Sequence, residues 1–217
     1  MIFPNAGYPK SALLLSAHTD DCEIGMGGTI ARLVEAGVTI RWLVFCNAWQ
    51  SLLKGLPKDT LLQEQRAAAA SFGISDDNLF IDDIPVRHFP AHRQTILEAL
   101  VAEARAHPPD LVFCPSLQDR HQDHLTLAQE AERAFKRTTL LGYHLPWNLP
   151  HSTQNAHVAI GPTHVDTKLK AVACYKSQAQ RPYFQKGAIE TLLSAAGIAS
   201  GHDMAEPFEV IRLQAPL

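Results

Sequence analysis

Two short clusters of metal-ligating side chains stand out along the chain. One is His18-Thr19-Asp20-Asp21, followed by Glu23 and the turn Gly25-Met26-Gly27-Gly28-Thr29; the other is Asp119-Arg120-His121-Gln122-Asp123-His124. Catalytic zinc takes three protein ligands and keeps a further position open for water. His18 and Asp21, close together in a tight turn, can face one point, and His124, at the expected start of a helix, can supply the third vertex. Asp20 is then left beside the metal but not on it. Its carboxylate can take a proton from water whose pKa the cation lowers toward ~7. His121 is close by, and Asp123 is expected to hold its ring and favour the imidazolium. A positive imidazole there stabilises an oxyanion or protonates a leaving group. The set describes metal-assisted hydrolysis of a carbonyl compound.

Each cluster alone has an ordinary reading. A histidine at the end of an apolar strand is commonly a hydrogen-bonded structural residue, and an H-x-D-H is commonly a helix cap. Two such clusters at matching strand ends are harder to explain that way. The glycine turn could cradle a dinucleotide phosphate on a helix N-terminus. The acidic pair Asp20-Asp21 just before it repels phosphate, and the full dinucleotide glycine fingerprint is missing. Glycines that let the metal loop turn sharply are the better account. Cys22 beside the ligands reads as a small buried hydrophobe.

The elements that must position these groups follow from the apolar pattern. Ala12–Ala17 is a continuous apolar run, expected of a parallel strand buried on both faces. Helices are expected over Thr29–Ala36, Thr60–Phe72, Thr95–Ala106 and His124–Phe135, and strands over Val38–Cys46, Leu79–Ile81 and Leu111–Cys114. That alternation predicts right-handed βαβ units: a single Rossmann-like α/β domain over residues 1–217, with a mostly parallel twisted sheet flanked by helices. Beyond Thr138 the pattern blurs, with a strand at Leu140–His144, a helix at Lys168–Tyr175 and a last strand at Glu209–Leu213. In such sheets ligands bind beyond the carboxyl ends of the strands, where both clusters fall.

Composition narrows the field. Nineteen Lys+Arg against 22 Asp+Glu leave a net charge of −3, with no basic excess for nucleic acid. No apolar run approaches the ~18 residues of a membrane span, and Ala12–Ala17 behind Lys10 is too short for a signal peptide. Four cysteines without a C-x-x-C pair read as a reduced, cytoplasmic chain. A homo-oligomer is compatible with all of this.

The first cluster through Thr29, joined to His121-Gln122-Asp123-His124, resembles the PIG-L/LmbE-like zinc-dependent N-deacetylases. The likeness extends through Glu64 to Gly73, Pro109-Asp110, the stretch Lys168 to Gln178, and Ala205 to Val210. It implies hydrolysis of an N-acetyl group from an amino sugar such as an N-acetylglucosamine conjugate. By position it implies His18, Asp21 and His124 as ligands of Zn2+ (Fe2+ being possible on the same donors), and Asp20 as general base. It also implies His121 as stabiliser of the tetrahedral intermediate, with Asp123 as its partner. The chain departs from the family at Thr19, where proline is usual, and at Cys22, where glutamate is frequent; neither change touches a ligand. Leu61 stands where some sugar-thiol members carry arginine, and Asp119 where some carry tyrosine.

Leu141 to Asn148 resembles a segment of short bacterial members tied to surface-sugar biosynthesis. Trp147 there can stack on a pyranose and His144 can bond a hydroxyl, while Arg181 suits a nucleotide-sugar diphosphate. The expected partner is thus a small amino-sugar molecule. An amidase acting on a non-sugar conjugate is the alternative. A metal-bearing binding module and a nucleotide-dependent transferase are the remaining rivals.

Overall fold

Leu13, Leu14 and Leu15 are at most 1% exposed, as a run buried on both faces of a sheet requires. They lie in β1 (Ser11–Ser16) of the computed structural model, which describes residues 9–214. Positions 1–8 and 215–217 of the expected domain lie outside the described residues. The chain continues through α1 (Asp21–Glu35), β2 (Thr39–Val44), α2 (Thr60–Ser71), β3 (Leu79–Ile81), α3 (Arg93–Ala106), β4 (Leu111–Pro115), α4 (Gln122–Ala134) and β5 (Thr139–Tyr143). It ends with β6 (Ala156–Ala159), α5 (Pro162–Val172), α6 (Ala188–Ser200) and β7 (Ala205–Arg212).

These strands form one sheet of seven, in the order β3-β2-β1-β4-β5-β7-β6. The first five are parallel and β7 runs antiparallel to both of its neighbours. The strand order reverses between β1 and β4, and that reversal opens a crevice at their carboxyl ends. The expected α/β architecture is therefore present. Two buried polar groups of this core find partners across the sheet: Trp42 Nε1 donates to Ser16 Oγ (3.0 Å) and the Tyr143 hydroxyl to the Leu15 carbonyl (3.0 Å).

Two features differ from the sequence reading. The glycine stretch is not a loop before a helix: α1 starts at Asp21 and kinks at Met26 (φ −149°, ψ 23°). The glycines serve close packing, since a Cβ on Gly25 would sit 2.6 Å from the Tyr143 ring and one on Gly27 2.8 Å from the Lys168 side chain. Past Thr138, α5 begins at Pro162, earlier than expected, and β6 and α6 were not anticipated at all. Pro162 after Gly161 was a legible helix start, but the four-residue β6 and the Ala/Ser/Gly-rich α6 carry little periodic contrast.

The kink frees backbone donors at the start of the second half of α1. The Glu206 carboxylate, from β7, takes the N–H groups of Gly28 (2.9 Å) and Thr29 (2.6 Å). Lys168 Nζ closes the arrangement on Glu206 (2.6 Å) and on the Ile24 carbonyl (2.6 Å), and both charged side chains are at most 3% exposed. The amides that a transferase would turn to a phosphate are thus held by the protein's own carboxylate. Removing one partner of a buried pair strands the other, so Glu206→Ala should cost about 3–5 kcal/mol in urea unfolding. Exposed pairs such as Arg66–Asp76 should yield less than about 1 kcal/mol in the same experiment.

Candidate metal centre and active site

The loops after β1 and β4 bring the two clusters together. His18 Nδ1 lies 3.0 Å from His124 Nε2, and Asp21 Oδ2 is 3.7 Å from the first and 3.5 Å from the second. A tetrahedral ion with bonds of ~2.0–2.1 Å has ligand atoms about 3.3–3.4 Å apart. Both rings are oriented from behind. His18 Nε2 bonds Asp123 Oδ2 (2.9 Å), and His124 Nδ1 bonds Asp119 Oδ2 (2.8 Å). A carboxylate accepts only, so each ring places its N–H there and turns an unprotonated nitrogen toward the other. Two such lone pairs facing each other are reconciled by a positive charge between them, either a proton shared by the rings, which the Asp21 and Asp119 carboxylates beside His124 favour, or a metal ion. The donor set therefore fits a divalent metal, with the carboxylate–histidine support usual at such sites. Ring nitrogens of His18, His121 and His124 all come within 4.8 Å of one another, so these three together could also hold an ion.

Asp20 is the residue before α1 and adopts left-handed backbone (φ 77°). Its N–H donates to the Tyr175 hydroxyl (3.0 Å). Burial, then the neighbouring Asp21 and Glu23 carboxylates, push the Asp20 carboxyl well above the usual carboxylate range, and Arg181 pulls it back. Two further non-glycine residues have positive φ, Ala48 (54°) and Arg87 (70°), and all three border the site. The Arg87 and Phe89 amides both donate to Asp123 (2.5 and 3.2 Å), so this strained turn holds the carboxylate that orients His18.

The arrangement around His121 differs from the expectation. Asp123 is occupied by His18 and two amides, and its nearest carboxylate oxygen is 4.0 Å from His121 Nδ1. That nitrogen instead accepts the Asp123 N–H (3.2 Å) and caps α4. The ring stacks on His124, with centroids 4.6 Å apart. Burial pushes its pKa down to about 4, which favours the neutral ring over the imidazolium. With Nδ1 accepting, its proton sits on Nε2.

His18, Asp20, Asp21, His121 and His124 line a cavity of about 290 Å³, together with Trp147, Arg181 and Tyr183. Trp147 and Tyr183 stack at 3.9 Å with planes 10° apart, and Arg181 donates to the Tyr183 hydroxyl (2.8 Å). His144 is not brought to this cavity. It is 4% exposed, and neither ring nitrogen has a partner among the described residues. The groups to which sequence reasoning gave no role are Asp119 behind His124 and Tyr175. Asp119 was legible as a carboxylate within the second cluster, and Tyr175 lies in the stretch Lys168 to Gln178 that carries the family likeness, with nothing local to show its partners. Cys22 is fully buried, and burial raises its thiol pKa, in keeping with a packing role.

Comparison with known proteins bears on this site. The family model described as PIG-L: GlcNAc-PI de-N-acetylase matches residues 13–135. The diacetylchitobiose deacetylase of Thermococcus kodakarensis is 24% identical over 91% of this chain and 81% of its own length. Among solved structures, the N,N'-diacetylchitobiose deacetylase of Pyrococcus horikoshii superposes with a TM-score of 0.76 at 20% identity, over 94% of this chain and 84% of that one. GalB, the 4-carboxy-2-hydroxymuconate hydratase of Pseudomonas putida, gives 0.76 at 20% identity, over 96% and 99%. These structural likenesses establish the fold; since a hydratase shares it, the reaction has to be read from the residues.

Burial, followed by the nearby His157, pushes the His144 pKa down to about 4, while Asp119 acts the other way. A histidine with a folded pKa below its unfolded value favours the fold above about pH 6.5 and loses that contribution as pH falls toward 4. Through this residue the protein should lose roughly 3 kcal/mol across that window. His144→Phe, which also removes two orphaned nitrogens, should unfold along a shallower acid limb. Denaturant melts of both proteins with chelator present would show it, and parallel limbs would refute it.

Proposed function

This chain belongs to the PIG-L family, GlcNAc-PI de-N-acetylase, and on that premise we propose that it is a metal-dependent hydrolase that removes the N-acetyl group of an N-acetylglucosamine-type sugar and releases acetate. The supporting observation is the convergence of His18 Nδ1, Asp21 Oδ2 and His124 Nε2 beside the Asp20 carboxylate. We assign those three as metal ligands and Zn2+ as the ion. When bound, the metal polarises the amide carbonyl and lowers the pKa of water.

The protein's own groups carry the rest. Asp20 takes a proton from the attacking water, whose oxygen bonds to the carbonyl carbon. His121 donates from Nε2–H to the carbonyl oxygen as negative charge develops there. A neutral imidazole suffices for that hydrogen bond, and it adds no positive charge next to a cation. The C–N bond then breaks, Asp20 returns its proton to the amine nitrogen, and acetate remains. Asp123 and Asp119 act by fixing the ligand rings, not by touching the substrate. At the rim, the exposed edge of the Trp147–Tyr183 pair offers an apolar surface for a sugar ring, and Arg181 can bond an anionic substituent. The site thus takes a small sugar molecule as its substrate.

Acetate release from a panel of N-acetyl amino sugars, free and nucleotide-linked, tests the reading with metal-loaded and chelator-treated protein. Metal-dependent release is expected from at least one. Hydration of an activated alkene acid with no acetate from any sugar would favour the hydratase chemistry instead. Asp20→Asn should keep its metal and lose at least about a hundredfold in kcat, whereas His124→Ala should lose bound metal by elemental analysis. Wild-type kcat in Asp20→Asn would refute the base assignment.

A further inference from the structure

Tyr175 is 1% exposed, and its hydroxyl is the meeting point of three separate elements. It accepts the N–H of Asp20 (3.0 Å), lies 2.6 Å from Glu23 Oε1 in α1, and lies 2.9 Å from Gln65 Oε1 in α2. Gln65 Nε2 donates to the same Glu23 oxygen (2.9 Å), and the single hydroxyl proton of Tyr175 goes to Glu23 or to Gln65, so the three side chains form one hydrogen-bonded cluster. Glu23 and Gln65 are fully buried.

This cluster is attached to the backbone of Asp20. Asp20 precedes α1, so its N–H has no place in the helix ladder and must find another acceptor. Its left-handed conformation (φ 77°) carries a Cβ and costs roughly 1–2 kcal/mol against ordinary backbone. Such a conformation persists only where surrounding contacts impose it. The dihedral angle at Asp20 sets where its carboxylate points. Among the described residues, that carboxylate makes no hydrogen bond that could place it instead.

We propose that Tyr175 is a positioning residue: through its hydrogen bond to the Asp20 N–H, and anchored by Glu23 and Gln65, it holds the Asp20 carboxylate in line with the attacking water. The inference rests on the reading of Asp20 as the general base. Tyr175 touches no substrate in this account. Its ring packs edge-on to Phe184 (6.1 Å), a contact that phenylalanine would keep.

Tyr175→Phe is therefore a clean removal of the hydroxyl. Misplacing a reacting group by about an ångström can cost ~100-fold, so the variant should lose roughly 10- to 100-fold in kcat, with KM and bound metal unchanged. A double-mutant cycle separates positioning from damage elsewhere. In the Asp20→Asn background, Tyr175→Phe should cost less than about twofold, because its target is already gone. Near-wild-type kcat in Tyr175→Phe, or an equal loss in both backgrounds, would overturn the inference and leave the Asp20 assignment standing. Wild-type kcat in Asp20→Asn itself would instead overturn the base assignment. If Tyr175→Phe does not fold, Gln65→Met loosens the same hydroxyl, and it must show the same kcat-only, non-additive loss.

Discussion

Two imidazole nitrogens 3.0 Å apart, each ring with a proton committed to a carboxylate on its far side, form an arrangement that needs a positive charge, a proton or a metal ion, between them. Repulsion between facing lone pairs is relieved by a cation, and the Asp21 carboxylate alongside adds a negative charge to the same point. Most of the distinctive local structure can be understood as the means of keeping this pair in register. Asp119 and Asp123 fix the ring orientations, and the left-handed turn at Arg87 presents amides that fix Asp123 in turn. β1 and β4 contribute one histidine each, and their hydrogen-bonded pairing as adjacent parallel strands fixes the distance between the two loops.

The same logic separates two carboxylates that are neighbours in the chain. Asp21 is tied by the His18 N–H at 2.7 Å and points to the metal position. Asp20, with its backbone turned into the left-handed region, lines the same cavity, and burial raises its affinity for protons. A cation beside it acts in the opposite direction. One side chain is thereby suited to hold metal and the other to exchange a proton, although their chemistry in isolation is the same.

Much of this was legible in the sequence, and the limits have physical causes. β1 to α4 announce themselves by continuous apolar runs and amphipathic stripes, and both clusters of candidate ligands sit within that regular half. Asp123 was assigned to His121 because sequence distance was the available guide. In space its carboxylate meets His18, a residue 105 positions away. His144 was read as a sugar contact on its polarity, and burial removed it from the cavity. The stacking of Tyr183 on Trp147 and the bond from the Asp20 N–H to Tyr175 arise from tertiary packing. α6 escaped because its alanines and serines blur the apolar stripe that Ile189 and Leu193 begin, although the left-handed Gly201 marks its end.

The contact between Glu206 and the amides of Gly28 and Thr29 has a bearing on how the molecule is made. It joins residues 178 and 177 positions apart, and the carboxylate arrives on the last strand of the sheet. β6, although synthesised earlier, also waits, because its partner in the sheet is β7. The segment carrying His18 to Thr29 is made early, whereas the carboxylate that takes the amides beyond its kink, and Lys168 that pairs with that carboxylate, are made late. Closure of this contact therefore belongs to the last stage of assembly, after the early βαβ units have formed.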